Sequence, residues 1–568
     1  MTKATRKTVP DALAPLPFNI PQPYSTTLEN GLKVVVFVDD RLPLVSYRLG
    51  FRSGEVSDPS DIVGATSAMA SMLTEGTLNY SSRQLAEMIE RIGASVGASA
   101  SEDFTIIAAS ALSMYSSDIL GLMAEIVFRP AFPDGELDLY KRNAIEHLRF
   151  QRSQPNFLAN EQTARQIYGR HPYGRVAPSP SDVERLSRQT LIEIQGRNLV
   201  PENSVFLAVG SIDRDKLISE INSEFGGWKG AHSEPAELPE LPDRTQRTIT
   251  IVDRPGSAQS NIVLANLAVE RTNPDFFAVT VMNQVLGAGA SSRVFMNLRE
   301  EKGYTYGAYT RFDMKRLWGD FEATAEVRTE VTGDSLREFF YELDRIKNED
   351  VQADELRDAK NFLTGVFPIR AETQEGLTNL LLNQQLYGLP DDYLETYRQR
   401  IEEVTVEDVR RVAAKYIRDD ELAIVIVGDA REVLKQARSY AEAIEIFNTE
   451  GKQVDVSTYD YDENEEPADV SGKWELKLDF QGQNVTVNLQ LDQRDASVSG
   501  SIDTVLGSGK IENGSVEGNR LKATARTEIQ GQSVDFSIAG TVDGNSMSGT
   551  LSTAIIPDSL EFEGTRVS

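Results

Sequence analysis

Histidine, cysteine and hydroxyl side chains set the first limits on the chemistry available to this chain. The sequence holds three histidines, His147, His171 and His232, and no cysteine. No two histidines are close enough to share one turn of helix, so a zinc site built on a local histidine pair is impossible. Disulfides and thiolate chemistry are excluded as well. At 64–77 the run GATSAMASMLTEGT has small and apolar residues at helical spacing, and it holds no histidine or cysteine. Ser67 and Ser71 have no His or Lys base placed beside them and read as small residues of a packed helix. VLGAGASSR (285–293) is glycine-rich but lacks the Gly-Lys-Ser/Thr that grips phosphate, and reads as a hinge. DYDENEE (460–466) lacks the glycine and terminal Glu of a calcium loop and reads as solvated linker. His171, in HPYGR, reads as a loop-fixing hydrogen-bonder.

The elements that must position these residues follow from periodicity. At 568 residues the chain is too long for one hydrophobic core. A Pro-rich arm (1–24) precedes LENGLKVVVFVDD (28–40), an Asn-Gly turn leading into a β-branched strand, with LVSYRLGFRSGE (44–55) as its expected partner. The silent helix, a second helix (81–93) and two strand-like runs come next, then helical periodicity from 114 to 170 and a buried strand in PENSVFLAVGSID (201–213). The second half repeats this order at an offset of about 215 residues, closing on LAIVIVGDA (422–430). The expected fold class is α+β: two homologous α/β-sandwich repeats (25–235 and 236–447), an acidic linker (448–470) and a C-terminal all-β domain (471–568), barrel or sandwich.

A formal net charge of −29 argues against nucleic acid or an anionic membrane surface as partner, and would attract basic peptides. No run reaches the length of apolar residues that a membrane helix needs, so no membrane insertion is expected. The expected location is cytoplasmic by default, or periplasmic if a signal peptide has been removed.

Several stretches in order, LENGLKVVV, GATSAMASMLTEGT, HPYGR, PENSVFLAVGS and above all VLGAGASSRVFMNLREEKGYTYGAY (285–309), resemble the pitrilysin/insulinase (M16) family of zinc peptidases. The likeness is to its short two-repeat chains, related to mitochondrial processing peptidase, and covers about residues 25–440. In active members the first of these helices carries His-x-x-Glu-His, two ligands on one helical face with a general base between them. Aligning the flanking glycines puts Ser67, Ala70 and Ser71 at those positions, so both ligands and the base are missing. The third ligand, a Glu on a later helix, is expected near Glu146-His147, a remnant or ordinary surface residues.

The family's Arg and Tyr, seven residues apart in the second repeat, hold the substrate backbone and stabilise the oxyanion. The resemblance places them at Arg299 and Tyr306, with Tyr304 expected on the same strand face as Tyr306 and in contact with substrate. It implies a subunit that binds no metal, works beside a homologous chain with an intact motif and zinc, and shares a chamber for peptide substrates. The other reading is a catalytically inactive binding or scaffold protein of the same fold, possibly homodimeric.

Overall fold

The structure is a computed structural model and describes residues 18, 20–230, 237–459, 467–480, 483–504, 507–529, 532–553 and 556–567. DYDENEE and His232 lie outside the described residues. The chain divides into two compact units, Met1–Val454 and Asp455–Ser568.

The first unit contains two sheets. One is built from β1 (Tyr24–Thr27), β2 (Lys33–Val38), β3 (Leu44–Phe51), β4 (Ser95–Ala100), β5 (Thr105–Leu112) and β6 (Ser204–Gly210), in the order β1-β2-β6-β3-β5-β4. The Asn30-Gly31 turn makes a hairpin of β1 and β2, as its sequence dictates. The expected pairing of β2 with β3 is wrong. β6 inserts between them, parallel to β2 (Val34↔Phe206) and antiparallel to β3 (Tyr47↔Ala208). The parallel pair explains why KVVVFV and SVFLAVG are continuous apolar runs, since both faces are covered.

The second sheet is built from β7 (Thr248–Asp253), β8 (Gln259–Ala268), β9 (Thr305–Met314), β10 (Gly319–Arg328), β11 (Ala423–Gly428), β12 (Ala443–Phe447) and β13 (Gln453–Val454), in the order β13-β12-β7-β11-β8-β10-β9. β7, β11, β8, β10 and β9 repeat the roles of β2, β6, β3, β5 and β4, including the parallel β7–β11 pair. β13 pairs with β12, so this sheet extends into the stretch read as linker.

Each repeat lends a helix to the other's sheet. Leu158, Ala159, Ile167 and Tyr168 of the Pro155–Tyr168 helix pack with Val263, Val425 and Val427 of the second sheet. Leu377, Leu381 and Leu386 of the Gln374–Leu386 helix pack with Val35, Leu207 and Val209 of the first. Val34 and Val36 face the first repeat's own helices, the alternation that a pleated strand requires. Among the described residues no helix is long and apolar enough to cross a membrane.

The second unit is a closed antiparallel barrel of eight strands running in sequence from β14 (Gly472–Phe480) to β21 (Ile556–Arg566), shut by β14–β21 pairing. Its interior is filled by side chains, with Trp474 fully buried and its indole N–H donating to the Val470 carbonyl at 2.9 Å. Closure leaves no free edge strand.

Candidate functional site

The helix that would carry a metal motif spans Ala65–Met72 and is entered through Gly64, whose φ of 81° suits glycine. Asp58 caps it. One carboxylate oxygen accepts the Gly64 N–H at 2.8 Å, and the other accepts the Thr66 N–H at 2.9 Å and the Thr66 hydroxyl at 2.5 Å. Burial pushes Asp58 up to about 6, against the pull of these hydrogen bonds.

Ser67 donates its hydroxyl hydrogen to Glu55, a half-buried residue whose carboxyl is pushed up to about 7 by desolvation. Ala70 is 0% exposed, and Ser71 is open to solvent. The long helix Asp134–Arg152 turns Tyr140, Ala144, Ile145 and Leu148 toward the core. Burial, then the charges of Glu55 and Asp58, push the Tyr140 phenol up to about 12, so this is the side that faces the motif helix. Glu146 and His147 are exposed, and Glu146 pairs with Arg149 at 2.6 Å. These two residues lie on the helix's outer surface. A hydroxyl engaged to a carboxylate, a buried methyl and an outward serine do not fit zinc. Among the described residues no cluster of three or more His, Asp or Glu could hold a metal ion.

His171 is buried, and its Nδ1 accepts the Tyr173 N–H at 3.2 Å. Desolvation holds its pKa below the usual value, as a loop-fixing neutral imidazole requires. Around it lies a polar network between the repeats. Tyr173 donates to Asp103, Tyr168 donates to Asp320 at 2.8 Å, and Lys315 bridges Asp313 and Asp320 at 2.8 Å each. Asp103 also accepts the backbone N–H of Arg316 at 2.9 Å, so the turn between β9 and β10 is tied to the first repeat.

At the opposite end of β9 lie Tyr306, on the strand, and Arg299, in the helix that leads into it. The segment read as a plain helix ends as a π-helix, Met296–Glu301. Asn297, 5% exposed, pins this wide turn by donating to Glu342 at 2.8 Å and Glu338 at 3.2 Å. Gly303 adopts φ 63° and donates its N–H to the Arg299 carbonyl at 3.2 Å, and Tyr304 N–H reaches the Leu298 carbonyl at 3.0 Å. The Arg299 guanidinium lies over the Phe295 ring at 5.0 Å and 3.0 Å from Glu300.

β9 begins only at Thr305, so Tyr304 belongs to the turn and does not share a strand face with Tyr306. It is half-buried, whereas Tyr306 is 89% exposed. A register shift opposite Ala325–Val327 creates a bulge at Tyr306-Gly307, where the Thr305 hydroxyl donates to the Glu326 carbonyl at 2.6 Å. β9 is the last strand of its sheet, so one side of its backbone has no strand partner among the described residues.

Beside the bulge opens a cavity of about 660 Å³, within the usual range for ligand sites. Its floor is Gly307, Tyr309 and Arg311 of β9 with Glu322, Thr324 and Glu326 of β10, and its far wall is Phe150 to Asn160 of the first repeat. Arg311 and the buried Glu322 neutralise one another at 2.8 Å. Sequence reading missed this wall, because Phe150 and Tyr309 are about 160 residues apart and no local spacing links them.

Comparison with known proteins matches residues 34–180 to the model described as Insulinase (Peptidase family M16), and residues 185–363 to that described as Peptidase M16 inactive domain. An uncharacterized zinc protease of Streptomyces coelicolor is 23% identical over 68% of this chain and 86% of its own length. A non-peptidase homolog of Helicobacter pylori is 21% identical over 71% of this chain and 94% of its own. The crystal structure of a peptidase M16 inactive domain from Pseudomonas fluorescens superposes with a TM-score of 0.67 at 26% identity, covering 72% of this chain and 98% of that one.

Proposed function

Because this chain belongs to the M16 (insulinase) peptidase family and has Ser67, Ala70 and Ser71 where that family has its zinc motif, we propose that it is the non-zinc subunit of a two-chain peptidase. The partner is a homologous chain with an intact His-x-x-Glu-His, and the metal and its activated water belong to that partner. This chain's part is to bind and orient. Arg299 holds the substrate carbonyl, and Tyr306 donates its phenol hydrogen to the oxyanion that develops there. Tyr304 closes the turn between them instead of touching substrate. The observation that carries the reading is Tyr306 itself, a large aromatic left 89% exposed at the bulged start of an edge strand, one turn from an arginine stacked on Phe295. A buried role explains neither the exposure nor the bulge.

The test is to mix the purified chain with a homologous chain bearing the motif and follow cleavage of a quenched peptide. Activity arises only in the mixture. Arg299→Ala and Tyr306→Phe each lower its kcat by about 10²- to 10³-fold. Unchanged rates in both variants refute the assigned roles.

A second reading, an inactive binding or scaffold protein that pairs with itself, is favoured by the relative named as a non-peptidase homolog. It predicts a homodimer that no motif-bearing chain displaces.

A further inference from the structure

The Ala353–Glu372 helix turns an apolar stripe to solvent. Phe362 and Ile369, two helical turns apart on one face, are 52% and 66% exposed, with Gly365 between them and Val366 beside them. The Asp134–Arg152 helix holds the same place in the first repeat. Aligned from their first residues, it has Asn143, Glu146 and His147 where this helix has Phe362, Gly365 and Val366, so the fold does not require the stripe. Packing within the chain does not require Gly365 either. A Cβ there would meet no atom within 4 Å among the described residues, and glycine inside a helix is less stable than alanine. Beside Ile369 opens a groove of about 510 Å³, lined also by Ile20, Phe37, Val38 and Pro368, with Val38 46% exposed.

Resting on the self-pairing of the second reading above, we propose that this helix face is where two copies of the chain meet, antiparallel and crossing at Gly365. The order of side chains along the face points to a second copy as the occupant. Reversed about Gly365, the helix sets Phe362 of one copy against Ile369 of the other, so each ring enters the other's groove. The same reversal sets Arg357 against Glu372 and Asp358 against Arg370, exposed residues of opposite charge in all four contacts. A parallel alignment would set each charge against its own like. Gly365 at the crossing lets the two backbones approach closely. A second copy meets ring, groove and charges twice over, which no unrelated partner is obliged to do.

The experiment is sedimentation equilibrium of the full chain, without partner or metal. The unaltered chain forms a reversible dimer with a dissociation constant of about 1–10 µM. Phe362→Asp, at an exposed position that the fold does not need, raises that constant about 100-fold. Arg370→Glu raises it about tenfold, and adding Asp358→Arg brings it back to within about threefold of the unaltered chain. The chain has no cysteine, so Gly365→Cys supplies its one thiol, and mild oxidation joins two copies. Asn143→Cys, on the matching helix of the first repeat, joins none. A chain that stays monomeric at about 100 µM overturns the proposal and the self-pairing reading together. A dimer that withstands Phe362→Asp, stays weak after the charge reversal or leaves Gly365→Cys unjoined keeps the self-pairing and overturns this surface.

Discussion

Ser67 donates its hydroxyl hydrogen to Glu55, so the residue that the family resemblance aligns with the first ligand position serves a half-buried carboxyl. Four residues of 3-10 turn and loop, Glu55 to Asp58, thus stabilise the helix that elsewhere in the family carries metal.

That carboxyl makes stability depend on pH with a definite sign. Glu55 rises from 4.5 to about 7 on burial, so the folded chain holds its proton more tightly than the unfolded chain. Stability of the first unit therefore falls as pH rises from 4.5 to about 7, by about 3 kcal/mol. Asp58, raised to about 6, acts in the same direction. Glu55→Gln flattens the fall, and Ser67→Ala, which removes the donor favouring the ionised form, steepens it. Urea denaturation at both ends of this window checks the sign.

The network between the repeats gives the second expectation. Lys315 bridges Asp313 and the deeply buried Asp320, which also accepts from Tyr168. Lys315→Met strands Asp320 without its cation and costs about 3 kcal/mol, whereas Tyr168→Phe costs about 1 kcal/mol. Equal costs in denaturation would show that the cation is not what holds Asp320.

Asn297 gives the third. It ties the π-helix beneath Arg299 to Glu338 and Glu342 on the Thr332–Asn348 helix. Asn297→Ala lets the turn relax, and in the two-chain assay it lowers kcat strongly when Arg299 is present and little in an Arg299→Ala background. Additive losses in the double variant would mean that the amide does not act through Arg299.

The barrel gives the fourth. Trp474 is fully buried, its indole N–H bonded to Val470 and its ring under the Arg566 guanidinium at 4.8 Å. Trp474→Ala costs the barrel about 3–5 kcal/mol, and Trp474→Phe about 1 kcal/mol from the lost hydrogen bond. Far-ultraviolet circular dichroism of both variants in the full chain, read at the barrel's own unfolding transition, checks the order.

What the sequence made legible was local or periodic. The Asn30-Gly31 hairpin and the alternating runs of the barrel each follow from residues within one short window, and the repeated order of elements from such windows recurring along the chain. The pairing of β2 with β6 was hidden because it joins strands about 170 residues apart, and an apolar run states that a strand is buried without naming its neighbour. Within the site, Tyr304 was misplaced because the left-handed turn at Gly303 and the bulge at Gly307 break the two-residue period. The inward spacing of Tyr140, Ala144, Ile145 and Leu148 puts Glu146 and His147 outside, the surface position that was one of the two alternatives read for them. The half-buried Glu55 and the buried Asp58 carry no periodic signal, since their desolvation comes from tertiary packing.

The division of labour is tested most directly by zinc stoichiometry. The full chain, purified alone, is dialysed to equilibrium against buffered zinc, passed through a desalting column and assayed for bound metal. The account predicts no stoichiometric retention, because Ser67 is engaged to Glu55, Ala70 is buried and Glu146 faces solvent. One equivalent of zinc held through the column, and lost on Glu55→Gln or Ser67→Ala, would contradict it.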